Sequence, residues 1–555
     1  MEIQSIPLSV NASNSIHHPP SNSINRRDFP PDFIFGAGTS AYQVEGAAKE
    51  GGKGPSIWDF WTWRHPDKIA DGTNGNLTAD FYHRYKEDVS IMKKMGLDSY
   101  RFSISWSRIL PHGKLGMGVN KEGIKYYNNL IDELVANGIK PFVTLFHWDL
   151  PQALEDEYGG FLSPQIVEDF CNYANLCFWK FGDRVKHWTT VNEPLMYSTR
   201  GYVDGQFPPG RGSSSSTTTP PITSLPEQIT TLPLPIKTVP LALPPEDITT
   251  LPAYISTNGD PGREPYWVAH HLLLAHAAVV ELYRNKYQAC QKGKIGITLN
   301  THYFEPFSEH HNDKKAAERA LDFNLGWFLE PVINGHYPDS MRCNVNVRLP
   351  HFTNTQSKML KGSFDFIGVN YYSARYAKDA PNAGVGEKPS YTTDSKVEQL
   401  RERDNVPIGP KARPVWLNVY PEGIYKLLVY IKNTYRNPLV YVTENGVAEE
   451  NDVNLTLPKA LVDTTRKEYI ENHLRFLRDA IQMGANVKGY FVWSFLDTFE
   501  WTDGYINRFG MIYIDFKDDL TRYLKDSALW FMNFLRKSKK RSVESNELDN
   551  VVTKK

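Results

Sequence analysis

Two glutamates stand in short polar runs directly after β-rich segments. Asn192-Glu193-Pro194 follows Val185–Val191 (VKHWTTV), and Glu444-Asn445-Gly446 follows Leu439–Thr443 (LVYVT). A lone glutamate after a strand is ordinary surface or ion-pair chemistry. Two of them opposed across one cleft can do more: one carboxylic acid protonates a leaving oxygen while the other, ionised, meets an electron-poor carbon. Glycoside cleavage needs this arrangement. The ends of other runs hold groups suited to a sugar, which presents hydroxyls round its rim and C–H faces above and below. Gln43 and Glu45 follow the first run, His147 and Trp148 the third, Asn370 and Tyr372 the sixth, and Trp493, Glu500 and Trp501 the eighth. Amide, imidazole and carboxylate groups bond hydroxyls, and tryptophan faces take the C–H surface. Taken singly, His147 reads as a structural histidine and Trp493 as core; their shared place after strands points to a site.

Groups so far apart in the chain need a scaffold that gathers strand ends. Eight β-rich runs, Phe33–Gly38, Ser99–Ser103, Pro141–Phe146, Val185–Val191, Lys294–Leu299, Phe366–Val369, Leu439–Thr443 and Val487–Val492, alternate with helical stretches. Lys121–Asn137 carries Ile124, Tyr127, Leu130, Ile131 and Leu134 at helical spacing and stops at Gly138; Asp463–Met483 stops at Gly484 in the same way. The pattern predicts an α/β chain folded as one (β/α)8 TIM barrel with long βα-loop insertions, its site at the C-terminal ends of the strands. An open doubly wound sheet is the alternative, but no G-x-G-x-x-G follows the first strand.

Length and composition agree with one enlarged barrel. The 555 residues divide into an N-terminal arm expected to be disordered (1–28), the barrel (29–535) and a basic tail (536–555). A segment rich in Pro, Ser and Thr, 213–262, is expected to be a long surface insertion between the fourth strand and its helix. Lys+Arg 62 against Asp+Glu 63 leaves a net charge of −1, which argues against a nucleic-acid partner. With 41% hydrophobic residues, a mean hydropathy of −0.46 and no apolar stretch long enough to span a bilayer, no membrane partner is expected. Aromatic residues make up 13% of the chain, a supply of stacking surface. The four cysteines lack metal-ligand spacing, and Cys171 and Cys177 are too far apart along one helix to bridge. No metal and no cofactor are expected. Without an apolar targeting segment in the arm, and with Arg536–Arg541 (RKSKKR) in the tail, the expected location is cytoplasmic or nuclear. Homo-oligomerisation is left open.

AYQVEG, HWDLPQAL, TVNEP, NYY, YVTENG and WSFLDTFEW, in this order, resemble the family 1 β-glucosidases from about Arg27 to Leu535. The Trp416 segment (PVWLNVYPEGIYKLLVY), the absent signal and the basic tail are similar to the plant alkaloid glucosidases of strictosidine and raucaffricine type. The resemblance implies a retaining double displacement on O-β-D-glucosides, with Glu444 as nucleophile and Glu193 as acid and then base. It also implies Asn192 on the sugar 2-hydroxyl, Gln43, His147, Glu500 and Trp501 on the remaining hydroxyls, and Trp493 beneath the ring. Tyr372, Arg101 and Asn370 would attend the nucleophile and keep it ionised. Trp416 would face the aglycone and stack on a flat heteroaromatic such as an indole. The implied substrate is a glucoside of a plant secondary metabolite, a monoterpenoid indole alkaloid first; phenolic or cyanogenic glucosides and transglucosylation are the alternatives. A non-catalytic sugar-binding barrel would be expected to have lost one of the two carboxylates. Val191, Thr498 and the 213–262 insertion depart from the family pattern and bear on aglycone shape and loop geometry.

Overall fold

All eight β-rich runs form strands, and the strands close on one another. They are β1 (Ile34–Gly38), β2 (Ser99–Ser103), β3 (Lys140–Phe146), β4 (His187–Asn192), β5 (Lys294–Asn300), β6 (Phe366–Asn370), β7 (Val440–Asn445) and β8 (Val487–Trp493). Each pairs in parallel with its neighbours in sequence, and β8 returns to β1. This is the expected (β/α)8 barrel. The structure, a computed structural model, describes residues 24–212 and 259–536. Among these no helix is long and apolar enough to cross a membrane.

The barrel floor is an aromatic plug. Phe142, Phe366, Tyr441 and Phe491 pack with Ile34, and the Phe142 ring stands 5.1 to 5.5 Å from the other three aromatic rings at steep angles. His187 stacks on Phe142 at 5.1 Å. Moving two residues along a strand returns the side chain to the same face one layer higher. Phe366 thus gives way to Gly368 and Asn370, and Phe491 to Trp493, so apolar filling becomes a polar, aromatic mouth. Outward positions meet the helices: Trp188 packs on Phe178 and Phe178 on Tyr283, while Thr190 Oγ1 bonds His276 Nδ1 at 2.7 Å.

Two strands break the alternation just before the mouth. The pairing of β4 with β5 shifts register between Thr189 and Asn192, and that of β7 with β6 shifts between Val442 and Glu444. Such irregularities re-aim side chains beside active sites. Strict alternation would bring Thr443 inward and send Glu444 outward; both lie inside here, with Thr443 Oγ1 donating to Asn370 Oδ1 at 2.7 Å.

The helices run Lys121–Ala136 and Thr464–Gln482, ended by left-handed glycines Gly138 (φ 73°) and Gly484 (φ 88°), close to the predicted bounds. Gly446 serves another purpose. A Cβ there would lie 1.8 Å from the Trp493 carbonyl oxygen, so only glycine lets the end of β7 approach β8. Gly446→Ala is expected to cost roughly 1–3 kcal/mol of stability, measurable by calorimetry.

The boundary at residue 29 needs correction. Ile24 is buried, Asn25 caps the turn Arg26–Asp28, and Arg26 Nη2 donates to Asp98 Oδ2 at 2.7 Å, so residues 24–28 pack on the barrel and are not part of a loose arm. The rest of the arm, the insertion up to residue 258 and the tail beyond Arg536 lie outside the described residues. Cys171 and Cys177 are buried and free, as their helical spacing requires.

Candidate active site

Glu193 follows β4 in the left-handed region (φ 45°, ψ 61°) and leads into the helix Pro194–Tyr202. A non-glycine residue there costs about 1–3 kcal/mol. Its N–H is fastened to the Thr298 carbonyl of β5 at 2.9 Å, and Pro194 suits the first helical position. Glu444 comes from β7. Arg101 Nη1 donates to Glu444 Oε1 at 2.5 Å and Tyr372 Oη to Oε2 at 2.6 Å. Asn370 Nδ2 donates to Glu193 Oε1 at 2.7 Å and to Asn192 Oδ1 at 3.2 Å; Arg101 Nη2 reaches the same Oδ1 at 2.6 Å. One continuous network therefore runs Glu193, Asn370, Asn192, Arg101, Glu444 across four strands.

The two carboxyls have different surroundings. Burial pushes Glu193 up to about 8, the Glu444 charge pushes the same way, and the Asn370 hydrogen bond and Arg101 only partly offset them. Glu444 has both a guanidinium and a phenol donating to it, and burial and the Glu444 charge hold Tyr372 well above an ordinary tyrosine, so it stays a donor. Two carboxyls in such unlike surroundings, one raised by burial and the other paired with a guanidinium, have the asymmetry that acid–base division between a carboxyl pair needs. Tyr372→Phe removes one charge-assisted hydrogen bond, worth about 1.5–3 kcal/mol, and is expected to lower kcat/KM roughly 10- to 100-fold on 4-nitrophenyl β-D-glucoside.

The site opens into a cavity of about 330 Å³. Glu193, Glu444, His147, Asn370, Tyr372, Trp416, Trp493, Glu500 and Trp501 all line it. His147 lies between the rings of Trp493 at 5.8 Å and Trp501 at 6.0 Å. Burial and Arg101 hold it far below an ordinary histidine, hence neutral. Since Asn192 Nδ2 donates to its Nε2 at 3.1 Å, the proton sits on Nδ1, a buried atom with no partner among the described residues. Glu500 accepts from Thr498 Oγ1, and burial raises its pKa well above the carboxylate range.

Three residues stand behind the wall. Arg101 and Asn192 support the two carboxyls as described. Gln43 is fully buried, with Ser40 Oγ donating to its Oε1 at 2.7 Å and its Nε2 donating to Phe499 O at 2.9 Å, so its amide is turned to the protein. Glu45 is a correction. It leaves the sugar set because Arg108 Nε at 2.8 Å and Tyr127 Oη at 2.5 Å hold it beneath the loop. Sequence reasoning missed His302, Arg200, Phe207 and Arg375, which also line the cavity. Asn300-Thr301-His302 ends β5 just as the other motifs end their strands, a signal that was there to read; Arg200, Phe207 and Arg375 come from a helix, a loop and an outer strand and carry none.

Comparison with known proteins agrees with this geometry. Residues 25–540 match glycosyl hydrolase family 1. The chain is 55% identical over 539 residues to raucaffricine-O-β-D-glucosidase of Rauvolfia serpentina, covering 96% of each, and 54% identical over 526 residues to β-glucosidase 12 of Oryza sativa subsp. indica, covering 95% of each. Among solved structures it is similar to a mutant of the rice β-glucosidase Os3BGlu6 in a covalent complex with Glc from GA4GE. There the identity is 42% and the TM-score 0.84, over 93% of this chain and all of that one. At this identity and coverage the chain belongs to glycosyl hydrolase family 1.

Proposed function

We propose that this β-glucosidase works through Glu444 as nucleophile and Glu193 as acid and base, on glucosides of plant secondary metabolites with a flat aglycone, indole alkaloid glucosides foremost. In the first step Glu444 attacks the anomeric carbon, the glycosidic C–O bond breaks, and the proton of Glu193 goes to the departing oxygen. In the second, water attacks the same carbon, its proton returns to Glu193, and Glu444 leaves as carboxylate. The covalent glucose in the similar rice enzyme supports a two-step course. The network joining both carboxyls supports the choice of residues.

Overall identity does not select the aglycone, since the match to an alkaloid glucosidase, 55%, and to a rice β-glucosidase, 54%, are nearly equal. The observation that carries the proposal is Trp416. It lines the cavity, is 36% exposed, and stands with its ring 6.0 Å from Tyr372 and 6.1 Å from His302, on the outer side of the nucleophile's phenol. An exposed indole face at the cavity wall takes a fused aromatic ring by stacking, worth about 0.5–1.5 kcal/mol beyond area burial. kcat/KM on strictosidine-type glucosides is expected to exceed that on simple phenolic glucosides, and Trp416→Ala to remove about tenfold of the advantage. Equal values for the two substrate classes would defeat the alkaloid preference.

A further inference from the structure

Six arginines of the described chain are buried: Arg101, Arg108, Arg375, Arg466, Arg508 and Arg522. Five of them have a carboxylate: Arg101 with Glu444, Arg108 with Glu45, Arg466 with Asp463, Arg508 with Asp497 and Arg522 with Asp88. Arg375 does not. It is 7% exposed, stands in the strand Ala374–Asp379, and donates only to neutral oxygens: Nη1 to Ala374 O at 2.7 Å and Ser373 Oγ at 3.2 Å, and Nη2 to Trp416 O at 2.5 Å. The charged group felt most strongly beside it is another cation, Arg401. A buried guanidinium without an anion is costly, and the other five show what this chain does when the anion is its own. Arg375 lines the active-site cavity and holds the carbonyl of Trp416, so the space before it belongs to the aglycone.

We propose that the aglycone this site is built for carries a carboxylate, and that Arg375 is the specificity residue that binds it. The inference rests on the glucosidase reading of the cavity. Three of the five guanidinium N–H donors are spent on the protein; Nε–H and one N–H on Nη2 remain, and two donors match the two oxygens of a carboxylate. Arg200 lines the cavity too, paired with Asp204 Oδ2 at 2.7 Å, and burial together with Arg375 and Arg200 keeps His302 neutral. His302 Nδ1 donates to Ser373 O at 3.2 Å, so Nε2 is left as an acceptor and offers the carboxylate no hydrogen bond, which leaves its recognition to Arg375. Asp503, a further carboxyl lining the cavity beside Glu193, Glu444 and Glu500, is held by Asn507 Nδ2 at 2.7 Å and feels Arg200 and Arg413. An aglycone with a flat ring and an acid satisfies Trp416 and Arg375 together, so among flat aglycones, indole alkaloids included, those with a free carboxylate fit best, any amine lying away from Arg375.

The test compares 3- and 4-carboxyphenyl β-D-glucosides with their methyl esters, with 4-nitrophenyl β-D-glucoside as an uncharged reference. At least one acid is expected to exceed its ester tenfold or more in kcat/KM, chiefly through KM. The ester is the better leaving group, so chemistry alone would give the opposite order. In Arg375→Gln the acid-to-ester ratio should fall to about one, with Arg375→Lys between. A loss of Trp416 positioning alone would slow acid and ester alike and leave the ratio standing. Esters that match or exceed both acids in the wild-type protein overturn the proposal, as does a ratio that survives in Arg375→Gln. If that variant fails to fold, the wild-type ratio decides. Failure to cleave even the nitrophenyl glucoside would instead strike the glucosidase reading itself.

Discussion

Glu444→Gln is expected to lower kcat on 4-nitrophenyl β-D-glucoside by at least about 10⁴-fold, which is about 5.5 kcal/mol of lost transition-state stabilisation. An amide has the shape of the carboxylate but no charge to offer the anomeric carbon, and it cannot form the glucosyl ester. The variant has a second cost. Arg101 is wholly buried and Glu444 is its only carboxylate, so the guanidinium would be left charged and unpaired, a loss of about 3–5 kcal/mol in such pairs. Thermal unfolding should therefore shift down beside the kinetic loss. A folded Glu444→Ala protein separates the two effects: it leaves room at the anomeric carbon, and azide should restore turnover by direct displacement, giving α-glucosyl azide. Activity of Glu444→Gln within tenfold of wild type would show that another group is the nucleophile.

How much of this site could be read from the chain depends on which link is considered. The eight runs and their helices follow from hydrophobic period and glycine stops, because a parallel strand buried on both faces and an amphipathic helix leave different marks. That Glu193, His147, Asn370, Tyr372, Trp493 and Trp501 share one cavity follows in turn from closing those strands. What period cannot show is which side a residue takes where the period fails. Asn192 and Glu444 face inward through the register shifts in β4 and β7, and their strands alone would have placed one or both on the helix side. The turn after β1 is a similar case. Gln43 and Glu45 are two residues apart, yet Glu45 goes to Arg108 beneath the loop, because a buried guanidinium there needs an anion. Arg375 is the reverse. Nothing in the run Ser373-Ala374-Arg375 signals a site, and its meaning emerges only when every other buried arginine is seen to be paired.

Glu193 should be read by leaving group and by pH. Glu193→Gln is expected to lower kcat/KM on alkyl glucosides, whose oxygen must be protonated to leave, by roughly 10³- to 10⁴-fold. With a dinitrophenyl glucoside, whose oxygen needs no proton, the first step should slow much less. The second step still lacks its base, so product should appear in a burst and azide should speed turnover and yield β-glucosyl azide. In the wild type, burial and the Glu444 charge raise Glu193, so the acid is present below the upper apparent constant of the pair and lost above it; kcat/KM should fall on the alkaline side. In Glu193→Gln that limb should vanish, and its persistence would assign it to another group. The same cause makes the cycle self-consistent. Once Glu444 is esterified to glucose its charge is gone, and with it one of the two effects holding Glu193 up. The Asn370 hydrogen bond and Arg101 remain and pull the other way, so the carboxyl that was an acid in the free enzyme loses its proton more readily in the intermediate and can take one from water. Neutralising Arg101 would remove part of that pull, and Arg101→Met should accordingly slow the second step more than the first with a dinitrophenyl glucoside, lengthening the lifetime of the glucosyl-enzyme seen by rapid-quench mass measurement.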